Sequence, residues 1–193
     1  MLLEPSTDFF INFMEGFMKN SMLMLAVALV VPMFSTTAQA AAPDDAQIAA
    51  IVVAANQVDI DAGKLAESKA ANPDVKAFGH RMVADHSDVN KQAVDLVTKL
   101  KVTPKDNPTS ESLKAGGEKN IAHLKTLSGA AFDKAYIDHE VTYHEQVLDA
   151  VDKTLIPNAK NEELKALLVK VRPSFVSHID HAKKVKAELH KKH

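Results

Sequence analysis

Hydrophobic residues recur along most of the chain at intervals of three and four residues, which places them on one face of an α-helix. Four long segments have this pattern: residues 44–71, 75–100, 128–155 and 162–190. Runs rich in proline and polar residues interrupt it, namely NPD, KVTPKDNPTS and IPNAKN. No segment alternates with the period of two that is typical of strands. The pattern therefore predicts an all-α protein.

A shorter segment, residues 109–127, lies between the second and third long segments. Its few apolar positions keep the helical spacing, but Gly116 and Gly117 lower its helix propensity, so we expect one or two short helices there. Two hairpins joined by one long crossover are the connectivity of ferritin-like bundles. The sequence thus predicts a ferritin-like antiparallel four-helix bundle, whose two hairpins are joined by a long crossover containing a short helix.

Charged and imidazole side chains interrupt the apolar faces of the long segments. In AYIDHEVTYHEQ, residues 135–146, a turn of about 100° per residue places Glu140 and His144 in the middle of the apolar stripe. The same count places His86 and His178 on the apolar faces of the second and last segments. Asp59 lies off-centre on the apolar face of the first. Each long helix therefore directs at least one metal-ligand residue type towards the core.

These five residues are also expected at one height in the bundle. Asp59 and His86 each lie about 13.5 residues from the first turn, so an antiparallel hairpin places them side by side. Glu140, His144 and His178 lie about 16 to 20 residues from the second turn. All five should therefore meet near the middle of the bundle.

Two interpretations of this set are open. Three neutral imidazoles with one or two carboxylates suit a single transition-metal ion, namely Zn, Fe, Mn or Cu. A dinuclear ferritin site uses Glu-x-x-His on two helices, and this motif does not occur in the chain. The alternative is a metal-free network in which the same side chains hydrogen-bond to one another. Asp133, near the start of its helix, is interpreted separately as a cap favoured by the helix dipole.

The N-terminal region predicts export. A lysine precedes an apolar run at residues 22–31, and two alanines with A-x-A spacing follow it. We expect residues 1–40 to be a signal peptide cleaved before Ala41, with translation starting at Met18. The run is too short to span a bilayer permanently, so we expect no transmembrane segment in the mature chain and a periplasmic or otherwise exported location.

The composition of the mature chain limits the kinds of partner and ligand that it can bind. Residues 41–193, which we expect to form a single domain, contain 22 basic and 22 acidic residues, compared with 23 and 25 in the full chain. A net charge of zero argues against nucleic acid as a partner. The absence of cysteine excludes disulfides and thiolate metal ligands. The sequence identifies no protein partner.

Three stretches, NPDVKAFGHRMVADHSDVN, LSGAAFDKAYIDHEVTYHEQVL and VRPSFVSHIDHAKKV, are similar to a family of exported bacterial proteins called domain of unknown function four-one-four-two. The resemblance covers about residues 48–189. In the family pattern acids precede GKLA, as Asp59 and Asp61 do here. The other matching positions are the DH of Asp85 and His86, the FD of Phe132 and Asp133, and the histidines His144 and His178. The family's acids are usually glutamates. The resemblance implies a four-helix bundle without an established activity, and members are often named predicted outer membrane proteins.

Three classes of function are compatible with these features. The first is an exported metal-binding bundle that holds an ion or uses it for small redox chemistry, such as oxygen or peroxide handling. The second is a metal-free envelope-stress or partner-binding protein with a buried polar network. The third, a hydrolase or another enzyme acting on an organic substrate, has the least support, because the sequence contains neither a serine nucleophile motif nor a glycine-rich phosphate loop. The sequence leaves open whether the protein is an enzyme.

Overall fold

The computed structural model describes residues 42–191, so the predicted signal peptide lies outside the described residues. All regular secondary structure in this part of the chain is helical, which confirms the all-α prediction. In chain order the elements are α1 (Asp45–Lys69), α2 (Pro73–Lys99), α3 (Pro108–Thr126), α4 (Gly129–Ala150), a π-helical turn (Val151–Leu155), α5 (Ile156–Asn158) and α6 (Glu162–Lys191). None of the helices described is both long enough and apolar enough to cross a membrane.

Side chains at the turns explain where the first three helices begin. Asp44 and Gln47 form a reciprocal capping box at the start of α1. Asn72 and Asn107 accept backbone N–H groups at the starts of α2 and α3. Each of these asparagines precedes a proline, whose missing N–H is not needed in a first helical turn. The crossover, predicted to contain one or two short helices, forms a single continuous helix of 19 residues that includes both glycines.

The helices pack mainly in sequential pairs. The short turn before α2 folds it back along α1, and the turn before α6 folds it back along α4. Contacts of α1 with α4 and of α2 with α6 join the two hairpins, and α3 packs chiefly against α1. The start of α3 is tied to α1 by the Asn107 side-chain amide, which donates to the Gln47 carbonyl. The four remaining long helices therefore meet around shared core residues.

Two aspartates link each hairpin to the turn of the other. The Asp45 carboxylate accepts two backbone N–H groups from the turn before α6, at 2.9 and 3.0 Å. The buried Asp133 carboxylate accepts the N–H groups of Ala71 and Asn72 in the turn before α2, at 3.0 and 2.8 Å. The prediction that Asp133 caps its own helix is therefore wrong, because its carboxylate satisfies the exposed backbone of the neighbouring turn instead.

A layer of polar side chains divides the core into two apolar parts. One part contains residues such as Ile48, Val147 and Leu168, and the other contains Phe78, Phe132 and Tyr136. Between them along the helices lie buried polar residues, of which the central ones are Asn56, Asp59, His86, Glu140, His144 and His178. Burial of polar groups costs free energy unless they have partners, so this layer calls for a chemical explanation.

Helices α1 and α2 come into close backbone contact at two glycines. A Cβ atom added at Gly79 would lie 2.9 Å from the Gly63 carbonyl oxygen and 2.8 Å from the Ala66 Cβ. A Cβ atom added at Gly63 would lie 2.8 Å from the Gly79 carbonyl oxygen. The two backbones therefore touch at a distance that no side chain permits, and this contact sets the spacing of the first hairpin.

The π-helical turn at the end of α4 has a local cause. Pro157 has no N–H, and its ring would clash with the carbonyl of Lys153 in a regular α-helix. The backbone widens there, and the Ile156 N–H donates to the carbonyl of Val151, five residues earlier. The wider turn directs Val151 and Leu155 into the core.

Candidate metal centre

The five residues predicted as metal ligands lie together in the polar layer. Each is at most 2% exposed. Their ligand atoms form two groups, each within 4.8 Å, that share His144: one group adds His86 and His178, and the other adds Asp59 and Glu140. The structure thus brings all five together, although metal binding by them stays a prediction.

The hydrogen bonds of His86 determine which of its ring nitrogens is free. The Asn56 side-chain amide nitrogen donates to the Val52 carbonyl at 2.8 Å, which leaves the Asn56 oxygen facing His86. That oxygen lies 2.7 Å from His86 Nδ1, so Nδ1 carries the proton and donates it. Burial, followed by the nearby His144 and His178, lowers the pKa of His86 well below its usual value. The ring is therefore neutral, and its Nε2 carries a lone pair.

His144 is held in the same tautomer. Its Nδ1 lies 3.0 Å from the backbone carbonyl of Glu140, one helical turn earlier, and a carbonyl can only accept. Burial lowers the pKa of His144 to about 3, so the ring is neutral. Its Nε2 therefore also carries a lone pair.

These two lone pairs face each other. His86 Nε2 and His144 Nε2 are 3.3 Å apart in a buried environment. Neither nitrogen can donate to the other without losing the bond that its own Nδ1–H makes. Two nitrogens bound at about 2.05 Å to one tetrahedral ion would be about 3.3 Å apart. The arrangement has the spacing of two ligands of one cation.

His178 completes the imidazole group. Its Nε2 lies 2.8 Å from an Asp85 carboxylate oxygen, to which it donates, and its buried Nδ1 has no partner among the described residues. Arg81 Nε donates to the same Asp85 oxygen at 3.2 Å. Its guanidinium also donates to Ser177 at 2.9 Å. Asp85 is therefore fixed from both sides and holds the His178 ring in one orientation.

The two carboxyl groups beside the imidazoles are buried, so their ionised forms are energetically unfavourable. Apart from the other carboxyl group of the pair, no residue in the described part of the chain donates a hydrogen bond to the oxygens of Asp59 and Glu140. Asp59 lies 3.5 Å from His86 Nε2, and Glu140 lies 3.5 Å from His144 Nδ1. Burial raises the pKa of Glu140 to about 8, and burial together with the Glu140 charge raises the pKa of Asp59. Glu140 therefore retains its proton near neutral pH unless a cation replaces it, and the raised pKa of Asp59 opposes ionisation of the second carboxyl group.

A small cavity adjoins the imidazoles on the side of Asp85. It has a volume of about 20 Å³ and is lined by His86, His178 and Phe175, among others. This volume is sufficient for one water molecule. The Phe175 ring lies 5.9 Å from the His86 ring and 6.0 Å from the His144 ring, centroid to centroid. The cavity offers space for one small ligand beside the imidazoles.

Sequence reasoning did not assign a role to the residues that orient the imidazoles. Asn56 lies one helical turn before Asp59 on α1, on the same face, and this spacing could have identified it. Asp85 is partly exposed and adjoins His86 in sequence, but its partner is His178, 93 residues away. No sequence spacing links Asp85 to His178, so only the packing of α2 against α6 shows this pair.

The comparison with known proteins identifies a family and no activity. A model of the family described as Domain of unknown function (DUF4142) matches residues 32–185. No curated protein and no solved structure matches the chain. The match covers most of the chain and confirms the resemblance noted from the sequence. The chain thus belongs to the DUF4142 family.

Proposed function

We propose that the protein is an exported, ferritin-like four-helix bundle that binds one transition-metal ion in its polar layer. His86, His144 and His178 supply the nitrogen ligands, and Asp59 or Glu140 supplies the oxygen ligand. Imidazoles with a carboxylate suit Zn, Fe, Mn or Cu. The two hairpins with their crossover helix support the architecture, and the A-x-A motif supports export.

One observation carries this proposal: the Nε2 atoms of His86 and His144 face each other at 3.3 Å while each Nδ1–H is bonded elsewhere. A proton between them would create a buried cation, which the lowered pKa values of both rings oppose. A metal ion would satisfy both lone pairs, and its charge would be neutralised by the nearby carboxylates.

Removal of the metal tests the proposal directly. Protein purified without a histidine tag should contain about one equivalent of metal, measured by elemental analysis. A ligand at a hundredfold excess over its Kd stabilises a folded protein by about 2.7 kcal/mol. For a domain of this size that corresponds to about 5 to 10 °C in melting temperature, which a strong chelator should abolish. A metal-free preparation whose melting temperature does not respond to added Zn, Fe, Mn or Cu would contradict the proposal.

A metal-free structural network is the alternative, and the carboxyl pair supports it. When one of Asp59 and Glu140 is protonated it can donate to the other, so the pair satisfies part of its hydrogen-bonding capacity without an ion. This leaves the contact between His86 and His144 unexplained. The chelator experiment separates the two functions, because a proton-linked network has no response to metal removal.

Metal affinity should rise with pH up to about pH 8. The proton to be displaced at neutral pH is on a carboxyl group, since burial raises the pKa of Glu140 to about 8. The imidazoles do not compete, because burial lowers the pKa of His144 to about 3. Each displaced proton weakens apparent binding about tenfold per pH unit below that pKa. Competition with a metal indicator from about pH 6 to pH 9 measures the slope. Affinity that stays constant below pH 8 would show that no carboxyl proton is displaced.

A further inference from the structure

A second cavity lies on the other side of Phe175. It has a volume of about 110 Å³ and lies between α1, α2, α4, α6 and the beginning of α3. Its wall is mainly aliphatic, with Ile51, Val147, Val151 and Leu168 among the lining residues. The π-helical turn contributes two of its side chains, Val151 and Leu155, so the widened backbone at Pro157 helps to shape this space.

The polar atoms nearest this cavity already have partners. Asn56 accepts from His86 and donates to the Val52 carbonyl. Tyr143, whose ring also lines the cavity, donates its hydroxyl to the Ala55 carbonyl at 3.0 Å. Thr109 and Gln146 lie at the exposed rim. A buried water molecule needs two to four polar partners, so the inner part of this cavity holds water poorly.

The two cavities share a wall. Phe175, Val89 and Val171 line both the apolar cavity and the small cavity beside His86 and His178. The Phe175 ring therefore separates the apolar space from the imidazoles.

We propose that the apolar cavity is a binding site for a small, uncharged, apolar molecule, from a diatomic gas to a few carbon atoms in size. Its volume is well below the 300 to 1,000 Å³ of pockets for drug-sized ligands, which excludes larger metabolites and peptide segments. An apolar cavity of about 150 Å³ in another protein stays dry and binds benzene or xenon. The site itself depends only on its lining and volume, whereas its use by metal chemistry across Phe175 rests on the proposed function.

Xenon is a suitable probe because it is apolar, uncharged and monatomic. The mature protein, labelled with ¹³C at its methyl groups, is titrated with xenon under pressure and followed by NMR. We expect saturable shifts confined to the methyl groups of Ile51, Val147, Val151 and Leu168. Weak, linear shifts spread over the surface would overturn the proposal. This experiment uses only the wild-type protein, so it does not depend on the folding of a variant.

A pair of matched substitutions on α4 locates the site. Ala150 and Ala135 are both half-buried, but only Ala150 lines the apolar cavity. Ala150→Leu should fill the space and weaken xenon binding at least tenfold, whereas Ala135→Leu should leave it unchanged. Equal binding by the wild type and Ala150→Leu, with melting temperatures that show both to be folded, would overturn the assignment.

The metal and xenon experiments fail independently. Xenon binding is measured on both the metal-free and the metal-loaded protein. Saturable xenon binding without any metal binding would support the cavity and contradict the proposed function. Metal binding without saturable xenon binding would support the proposed function and contradict the binding site in the apolar cavity.

Discussion

Replacement of any one of His86, His144 and His178 by alanine should weaken metal binding by more than about 100-fold. The estimate follows from the cost of losing an outer partner of a metal ligand, which is already about 10- to 100-fold. Losing a ligand removes a bond to the ion as well as its orientation. Isothermal titration of each purified variant with Zn²⁺ measures the effect, and all three losses should be similar because the nitrogens belong to one site.

The matched control is His190→Ala. His190 is exposed near the end of α6, and no hydrogen bond or ion pair is described for it. This variant should bind metal like the wild type, as should His193→Ala. If tail variants lost the metal and core variants kept it, the buried histidines would be a feature of packing alone.

Weaker metal binding by an alanine variant could result from unfolding as well as from the loss of a ligand, and the two causes must be distinguished. An alanine in place of a buried histidine leaves a cavity, which can destabilise the protein by itself. His86→Leu avoids most of this cavity, and replacement of buried polar groups by apolar ones of similar volume is often neutral. We expect His86→Leu to melt near the temperature of the metal-free wild type and to show no stabilisation by metal. Stabilisation equal to that of the wild type would exclude His86 as a ligand.

The sequence predicted much of this site because helical periodicity is a strong local signal. A turn of about 100° per residue is sufficient to place Glu140 and His144 on the face of α4 that becomes buried. Counting from the turns placed Asp59 and His86 at the same height, and the structure finds them 3.5 Å apart. Both inferences use only the geometry within one helix or one hairpin.

Helical periodicity and counting from the turns could not predict features that depend on contacts between distant helices. Asp133 was assigned to its own helix, because the sequence does not show that the turn before α2 lies against it. The protonation states also depend on burial and on neighbours from other helices, so helical periodicity does not show that the pKa of Glu140 is raised and that of His144 is lowered. The close contact of Gly63 with Gly79 is likewise a feature that only the packing of two helices shows.

Gly79→Ala should destabilise the protein by about 2 kcal/mol. The new methyl group would lie 2.9 Å from the Gly63 carbonyl oxygen, which is backbone and cannot rotate away. Overpacking of this kind costs about 1 to 3 kcal/mol, and it outweighs the gain of up to about 1 kcal/mol in helix propensity. For a chain of this size the melting temperature should fall by about 4 to 8 °C, measured by circular dichroism on metal-free protein.

Gly116→Ala provides a control with the opposite sign. Gly116 is exposed inside α3, and a Cβ atom added there meets nothing within 4 Å. Only the helix-propensity effect applies, so this variant should be more stable by up to about 1 kcal/mol. Gly79→Ala should also weaken metal binding, because Asp59 and His86 lie next to the glycine contact, on its side away from the turn, and move apart when the helices separate. A Gly79→Ala variant as stable as Gly116→Ala would show that the first hairpin tolerates a wider spacing, and that the glycine contact does not determine the geometry of the site.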